Sequence, residues 1–155
     1  MNLLSKLSGA ALVLGLLFST AIAQEKKITR KQLPPAVEKT VAEQSEGATI
    51  KGFATEVEKG QKLYEASLTV NGHGKDILID RKGNIVEVEE EVSLDSLSPP
   101  VQNGLKRAAG TGKIGRVESL TKNGELVAYE AVVKRGVKHS EIQVGPQGER
   151  LKRPE

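Results

Sequence analysis

Cysteine and tryptophan are absent from this 155-residue sequence, and aromatic side chains are scarce. Without cysteine the chain has no disulfide scaffold, no thiolate metal site and no cysteine nucleophile. The aromatic residues are few enough to list: Phe18, Phe53, Tyr64 and Tyr129. Because tight protein interfaces depend on tryptophan, tyrosine and arginine anchors, this scarcity favours a weak or electrostatic partner over a very tight inhibitory contact.

A strong excess of either charge is also missing. The sequence has 23 basic and 20 acidic residues, and 37% of its residues are apolar. That apolar fraction is too high for a disordered chain, and the balanced charge does not give the basic footprint of a nucleic-acid binder. The length fits one medium domain or two very small ones. We therefore expect a folded protein that does not bind nucleic acid.

The longest apolar run lies near the N-terminus, and residues 1–23 are predicted to be a signal peptide. Lys6 precedes the run, and Ala21-Ile22-Ala23 follows it with small residues where signal peptidase cleaves. The alternative is a membrane anchor, but the run is shorter than the roughly 20 residues needed to span a bilayer. We expect cleavage after Ala23 and an exported protein, periplasmic or secreted, without a membrane span.

The rest of the sequence repeats itself. Leu33-Pro34-Pro35-Ala36-Val37 recurs as Leu97-Ser98-Pro99-Pro100-Val101, and Tyr64-Glu65-Ala66 recurs as Tyr129-Glu130-Ala131. Matching blocks that follow in the same order indicate two copies of one unit. The predicted organisation is a signal peptide at 1–23, a first unit at 24–91 and a second unit at 92–155.

Each unit has the same predicted elements. A Pro-Pro step opens a helix, because proline is well tolerated in the first helical turn. Polar residues then alternate with the apolar Tyr64, Ala66 and Leu68, which is typical of a strand with one buried side. Asn71-Gly72 and Asn123-Gly124 predict tight hairpins. The fold class is therefore α+β, with one helix and about four antiparallel strands in each unit.

These motifs resemble a known family. The features that carry the resemblance are Leu33, Pro34, Tyr64, Glu65, Asp80, Gly83 and Ile85. They resemble the PepSY-like unit, and in particular the β-lactamase-inhibitor-like group of exported bacterial proteins, over residues 28–153. The resemblance implies two tandem helix-plus-antiparallel-sheet units, and it implies an inhibitory or binding role. The second copy departs from the pattern, with Arg150 in place of Ile85, so its last strand is expected to be short or missing.

No group of residues predicts catalysis, a cofactor or a metal site, and we expect a protein that is not an enzyme. His73 and His139 lie in predicted hairpins and are interpreted as solvated turn residues. The segment Asp80 to Gly83 partly matches a calcium loop, but Arg81 and Lys82 occupy the intervening positions, which favours a turn. Gly110-Thr111-Gly112-Lys113 lacks the spacing of a nucleotide loop and is interpreted as a helix-ending linker.

Acidic residues are densest in one stretch that contains Glu87, Glu89, Glu90, Glu91 and Asp95. A solvated strand at a sheet edge explains such a run, and so does a docking surface for a basic partner. Both interpretations remain open at this point.

The candidate protein-binding face follows from the strand alternation. If Tyr64 and Tyr129 face the helices, then a second set of residues faces the other way. These residues are Glu65, Ser67, Thr69, Glu130 and Val132.

The leading hypothesis is a non-enzymatic periplasmic binding module that contacts another protein and inhibits a secreted or periplasmic enzyme. The alternative is an envelope accessory protein that binds a small ligand or polymer between the two units. A flat exposed face with few apolar residues favours the first hypothesis, and a carboxylate-lined groove between the units favours the second. The sequence does not predict the oligomeric state.

Overall fold

The computed structural model describes residues 25–155. The predicted signal peptide, residues 1–23, and its cleavage site lie outside the described residues. Within residues 25–155, no helix is long and apolar enough to cross a membrane.

The described chain forms one eight-stranded antiparallel sheet in which the strands follow one another in chain order. The strands are β1 (Lys26–Ile28), β2 (Thr49–Glu58), β3 (Gln61–Val70), β4 (His73–Ile79), β5 (Ile85–Glu91), β6 (Lys113–Lys122), β7 (Glu125–Arg135) and β8 (Lys138–Val144). Helix α1 (Pro35–Gln44) lies between β1 and β2, and helix α2 (Pro99–Ala109) lies between β5 and β6. The α+β class predicted from the sequence is confirmed.

The helices begin and the hairpins turn at the residues predicted from the sequence. Pro35 is the first residue of α1, and Pro99 is the first residue of α2. Asn71 and Asn123 both have φ near +50°, and a glycine with positive φ follows each of them. This backbone conformation matches the right-handed twist of paired strands and closes the β3–β4 and β6–β7 hairpins.

Both helices cover the same side of the sheet. Val37 and Val41 of α1 pack with Tyr64 of β3, whereas Leu105 of α2 packs in a second cluster that includes Tyr129 of β7. Both tyrosines therefore face the helices, as the alternation predicts. The two sites are not equally closed, since Tyr64 is 7% exposed and Tyr129 is half-buried.

Helix α2 makes a close backbone contact through Gly104. A methyl group at Gly104 would lie 2.8 Å from the Cα of Gly148, closer than packed carbon atoms approach. Gly83, in the turn after β4, is similarly placed, because a methyl group there would lie 2.8 Å from the carbonyl oxygen of Ala36. The two helices thus rest on a turn glycine in the same way.

The acidic strand β5 corrects one interpretation of the sequence. Its residues do not form a solvated edge, because β5 pairs with β4 on one side and with β6 on the other. The two halves of the chain are therefore joined through β5 into a continuous sheet.

The last strand of the second copy was expected to be short or missing. In the structure it is reduced to a single bridge between Val144 and Arg150.

Two further turn predictions have different outcomes. Asp80 closes its turn by accepting hydrogen bonds from the backbone N–H groups of Lys82 and Asn84, at 2.8 and 2.9 Å, so the turn interpretation holds. The prediction that His73 and His139 lie in the hairpin turns was wrong, because both lie in strands. His73 opens β4 and is half-buried with its Nε2 3.3 Å from Glu90 Oε1, and the exposed His139 lies within β8. Strand pairing extends to these histidines, although the glycines close to them in the sequence suggested that the turns begin earlier.

Candidate binding face

The side of the sheet away from the helices carries most of the acidic side chains of the central strands. We call this side the acidic face. Strand pairing aligns its residues in three rows that cross the sheet. The rows are Ala54, Glu65, Leu78, Glu87 and Lys122; then Ser67, Asp76, Glu89, Leu120 and Ala128; then Glu91, Glu118, Glu130 and Gln143.

Carboxylates lie directly opposite one another in two of these rows. Asp76 of β4 pairs with Glu89 of β5, and Glu118 of β6 lies between Glu91 of β5 and Glu130 of β7. Like charges directly opposite across strands destabilise a sheet. This arrangement therefore costs folding stability.

Three carboxylates meet where the two halves of the sheet join. Oxygen atoms of Asp76, Glu89 and Glu118 all lie within 4.8 Å of one another. We call these three residues the carboxylate cluster. Glu118 is buried with 6% of its surface exposed, and the other two are half-buried. Acidic groups are thus concentrated on the midline of the acidic face.

Two cations pair with acidic side chains of this face, one of them in the carboxylate cluster. Lys122 Nζ lies 3.2 Å from Glu87 Oε2, and Arg116 Nε lies 3.3 Å from Glu118 Oε1. Hydrogen bonds hold other acidic side chains in place: Ser67 donates to Glu65 at 2.8 Å, and Gln143 donates to Glu130 at 2.7 Å. The acidic groups are therefore positioned by their neighbours.

Burial and neighbouring carboxylates raise the pKa values of several glutamates on the acidic face. Burial, together with the charges of Glu87 and Glu118, raises the pKa of Glu89 to about 8. Burial is also the main cause that raises the pKa of four other glutamates: Glu56, Glu65, Glu118 and Glu130. Each of these groups gains from protonation in the folded protein, or from the approach of an external positive charge.

Folding stability is expected to fall as the pH rises. Because the pKa of Glu89 lies near 8 in the folded protein and near 4.5 in the absence of its surroundings, the folded state binds more protons than the unfolded state between these values. Its contribution to the free energy of unfolding is therefore complete below about pH 4.5 and is lost on passing pH 8. Urea unfolding at a series of pH values measures this slope.

The variant Glu89→Gln is expected to be more stable than the native protein at pH 8 and to show a shallower dependence on pH. Glu46→Gln, at an exposed position beyond α1, is the matched control and should keep the native slope. An unchanged slope in Glu89→Gln would show that the buried charge of Glu89 does not limit stability.

All five predicted face residues lie on the acidic face. Ser67 pairs with Asp76, and Thr69 pairs with Gly74, on the same side as Glu65. Glu130 pairs with Gln143, and Val132 pairs with Glu141, both on the same side as Glu118. The residues from β3 and those from β7 are not in contact as one patch, because β4, β5 and β6 lie between them.

Sequence reasoning missed the centre of this face. The sequence alone did not connect Asp76 with Glu89 and Glu118, which the structure brings together. Glu118 has no acidic equivalent in the first copy, where Ala54 stands, so the repeat did not draw attention to it. The period-two spacing of Glu87, Glu89 and Glu91 is the signal that could have placed three carboxylates on one side of β5.

Comparison with known proteins shows the fold. No family model and no curated protein matches the chain. Among solved structures, a DUF2874 family protein from Bacteroides ovatus has a TM-score of 0.60 at 22% identity, over 77% of this chain and 85% of that one. A BLIP-like protein from Bacteroides fragilis has a TM-score of 0.57 at 23% identity, over 77% of this chain and 83% of that one.

A third similar structure comes from Bacteroides eggerthii and is described as a proposed periplasmic protein. It has a TM-score of 0.63 at 18% identity, over 77% of this chain and 86% of that one. The chain therefore has the α+β fold found in BLIP-like and DUF2874 proteins. At these identities the similarity establishes the fold alone.

Proposed function

We propose that the protein is a non-enzymatic binding module of the periplasm that uses its acidic face to contact a positively charged protein partner. The observation that carries the proposal is the opposition of carboxylates on neighbouring strands, in two rows that together run from β4 to β7. This arrangement costs stability in the free protein, and a bound cationic surface would offset that cost. Sites that sacrifice stability in this way are candidates for function.

The contact is electrostatic and reversible. Within the described part of the chain, no tryptophan is available to anchor an interface, and Tyr64 and Tyr129 face the helices. A contact built on exposed charge gives fast association and selectivity for the sign of the partner's charge. Inhibition of a secreted or periplasmic enzyme is one outcome of such a contact, and the BLIP-like fold is consistent with it.

We also propose that the chain is exported and contains two PepSY-like units. The apolar run in residues 1–23 supports export, and so does the periplasmic description of a similar structure. Two units are supported by the way each helix rests on a turn glycine, α1 on Gly83 and α2 on Gly148. Superposition of residues 28–90 on 92–153, with Tyr64 over Tyr129, tests the repeat directly.

A second candidate function is binding of a small positively charged ligand at the junction of the two halves. The position of the carboxylate cluster favours it, because Asp76 belongs to the first half and Glu118 to the second. Calorimetric titration with spermidine distinguishes the candidates. A small polyamine that saturates the face on its own supports the ligand hypothesis, whereas selective binding of a basic protein supports the module hypothesis.

The double variant Glu65→Lys with Glu130→Lys tests the binding face. These half-buried residues flank the carboxylate cluster on β3 and β7, so reversing their charge should repel a cationic partner. We expect folding stability to change by about 1 kcal/mol or less, since neither side chain is in the core. Capture of periplasmic proteins should fall strongly at low salt, where surface charges are least screened.

The matched control is Glu43→Lys with Glu46→Lys, which makes the same change of charge at exposed positions on and beyond α1. The control should capture the same proteins as the native chain. Equal capture by the native protein and the Glu65, Glu130 variant at low salt would exclude this face as the binding surface.

A further inference from the structure

The far edge of the sheet carries a groove that shares only Gln143 with the acidic face. It lies between helix α2 and strand β8 and has a volume of about 620 Å³. Gly104, Arg107 and Ala108 line it from the helix, and Ile142 and Gln143 line it from the strand. β8 pairs with β7 on its inner side, and its outer side is unpaired apart from the bridge between Val144 and Arg150.

The first half of the chain shows what fills the corresponding space. There the strand β5 lies beside β4 and opens with the pair Ile79 and Ile85, as Val144 and Arg150 pair at the end of β8. Ile85 and Val88 of β5 pack against the core beneath α1. The groove beside β8 is therefore the position of a strand that the first half possesses and of which the second half keeps only the bridge at Arg150. Beyond that bridge Leu151 lines the groove, and the backbone N–H of Glu155 donates to Gln143 Oε1 at 2.8 Å.

Burial records the difference between the two positions. Ile77 of β4, which is covered by β5, is 0% exposed. Its counterpart in β8, Ile142, is half-buried, and the four residues Lys138 to Glu141 are exposed. An apolar side chain and a row of unpaired backbone groups are thus left open along one strand. Such edges are templates for pairing with another strand.

The charge of the groove differs from that of the acidic face. Arg107 and Arg150 are exposed and line it, and Arg107 Nη2 is held by a hydrogen bond to the carbonyl oxygen of Gly148 at 3.3 Å. Lys138 and Lys152 are exposed close by in the chain. A positively charged rim beside an open strand suits an acidic occupant.

We propose that this groove binds an extended acidic segment of a partner protein, which adds to β8 as an antiparallel ninth strand. The segment places an apolar side chain against Ile142 and α2, at the position that Val88 holds in the first half, because Arg150 already occupies the position of Ile85. Its carboxylates face Arg107 and Arg150. Backbone hydrogen bonds to β8 supply affinity, and the groove and its charge supply selectivity, as in other complexes formed by strand addition.

A peptide copy of β5, with the sequence Ile-Val-Glu-Val-Glu-Glu-Glu and blocked ends, is the probe. Titration into the ¹⁵N-labelled protein should shift the amide resonances of β8 and of the last turns of α2, and it should slow hydrogen exchange along the outer side of β8. Because the probe is acidic, it is not a ligand for the acidic face. If the peptide does not bind, the proposed function of the acidic face is unaffected, and if the acidic face binds no partner, the groove proposal is unaffected.

The variant Ala108→Glu places a negative charge in the groove at an exposed helical position and should weaken peptide binding about fivefold. Ala42→Glu, at an exposed position on α1, is the matched control and should bind as the native protein does. A scrambled peptide with all glutamates first should bind more weakly than the copy of β5.

Three results would overturn the proposal. They are the absence of resonance shifts at millimolar peptide, shifts confined to the acidic face, and an equal loss of peptide affinity in Ala108→Glu and Ala42→Glu. A dimer that forms through β8 without peptide, detected by sedimentation at increasing concentration, would instead assign the edge to a second copy of the chain.

Discussion

Replacement of Tyr64 by alanine is expected to lower the free energy of unfolding by about 3–5 kcal/mol, the usual cost of removing a large buried ring. Tyr64 is 7% exposed and packs with Val37 and Val41 beneath helix α1. The structure leaves little room for its neighbours to close the cavity, because Ile77 and Ile79 on the next strand are also buried. Urea unfolding followed by far-ultraviolet circular dichroism measures the loss.

The equivalent change in the second half, Tyr129→Ala, provides the internal comparison. Tyr129 occupies the same side of the sheet but is half-buried, so less apolar surface is lost when its ring is removed. We expect a clearly smaller loss than for Tyr64→Ala. Equal losses would mean that the second cluster is packed as tightly as the first, against the burial seen in the structure.

The variant Gly104→Ala is expected to destabilise the protein by about 1–3 kcal/mol or more, the cost of forcing an extra carbon into a packed contact. Alanine normally stabilises a helix by about 1 kcal/mol relative to glycine, so the expected sign is opposite to the helix propensity. The reason is the backbone of Gly148, whose Cα would lie 2.8 Å from the new methyl group. Helix α2 would have to move away from the turn after β8.

The neighbouring variant Asn103→Ala is the control for helix propensity. Asn103 is exposed on α2, so its replacement should leave stability unchanged or slightly raised. If Gly104→Ala also raises stability, the close contact between α2 and the Gly148 turn does not exist in solution.

The local elements of this fold could be predicted from the sequence because their signals are local. Pro35 and Pro99 mark the helix starts, and Asn71 and Asn123 adopt the positive φ that their hairpins require. The side to which each tyrosine points also follows from strand alternation. These features depend on the nearest residues in the chain, so one sequence was enough to derive them.

The position of β5 could not be predicted in this way. Its pairing with β6 joins residues on opposite sides of helix α2, and no turn signal specifies that partner. An acidic strand such as this one is usually an edge strand in contact with solvent. The sequence therefore indicated the composition of the acidic face and two of its outer positions, Glu65 and Glu130. It did not indicate that Asp76, Glu89 and Glu118 meet.

A cationic partner that binds the acidic face is expected to make its protonated carboxyl groups lose their protons. Carbon-13 NMR titration of the glutamate carboxyl groups, with and without an oligolysine peptide, tests it most directly. We predict that Glu89 titrates with a pKa near 8 in the free protein and that the pKa falls when the peptide binds, because the added positive charge stabilises the carboxylate. A Glu89 pKa that stays the same at saturating peptide would contradict the account.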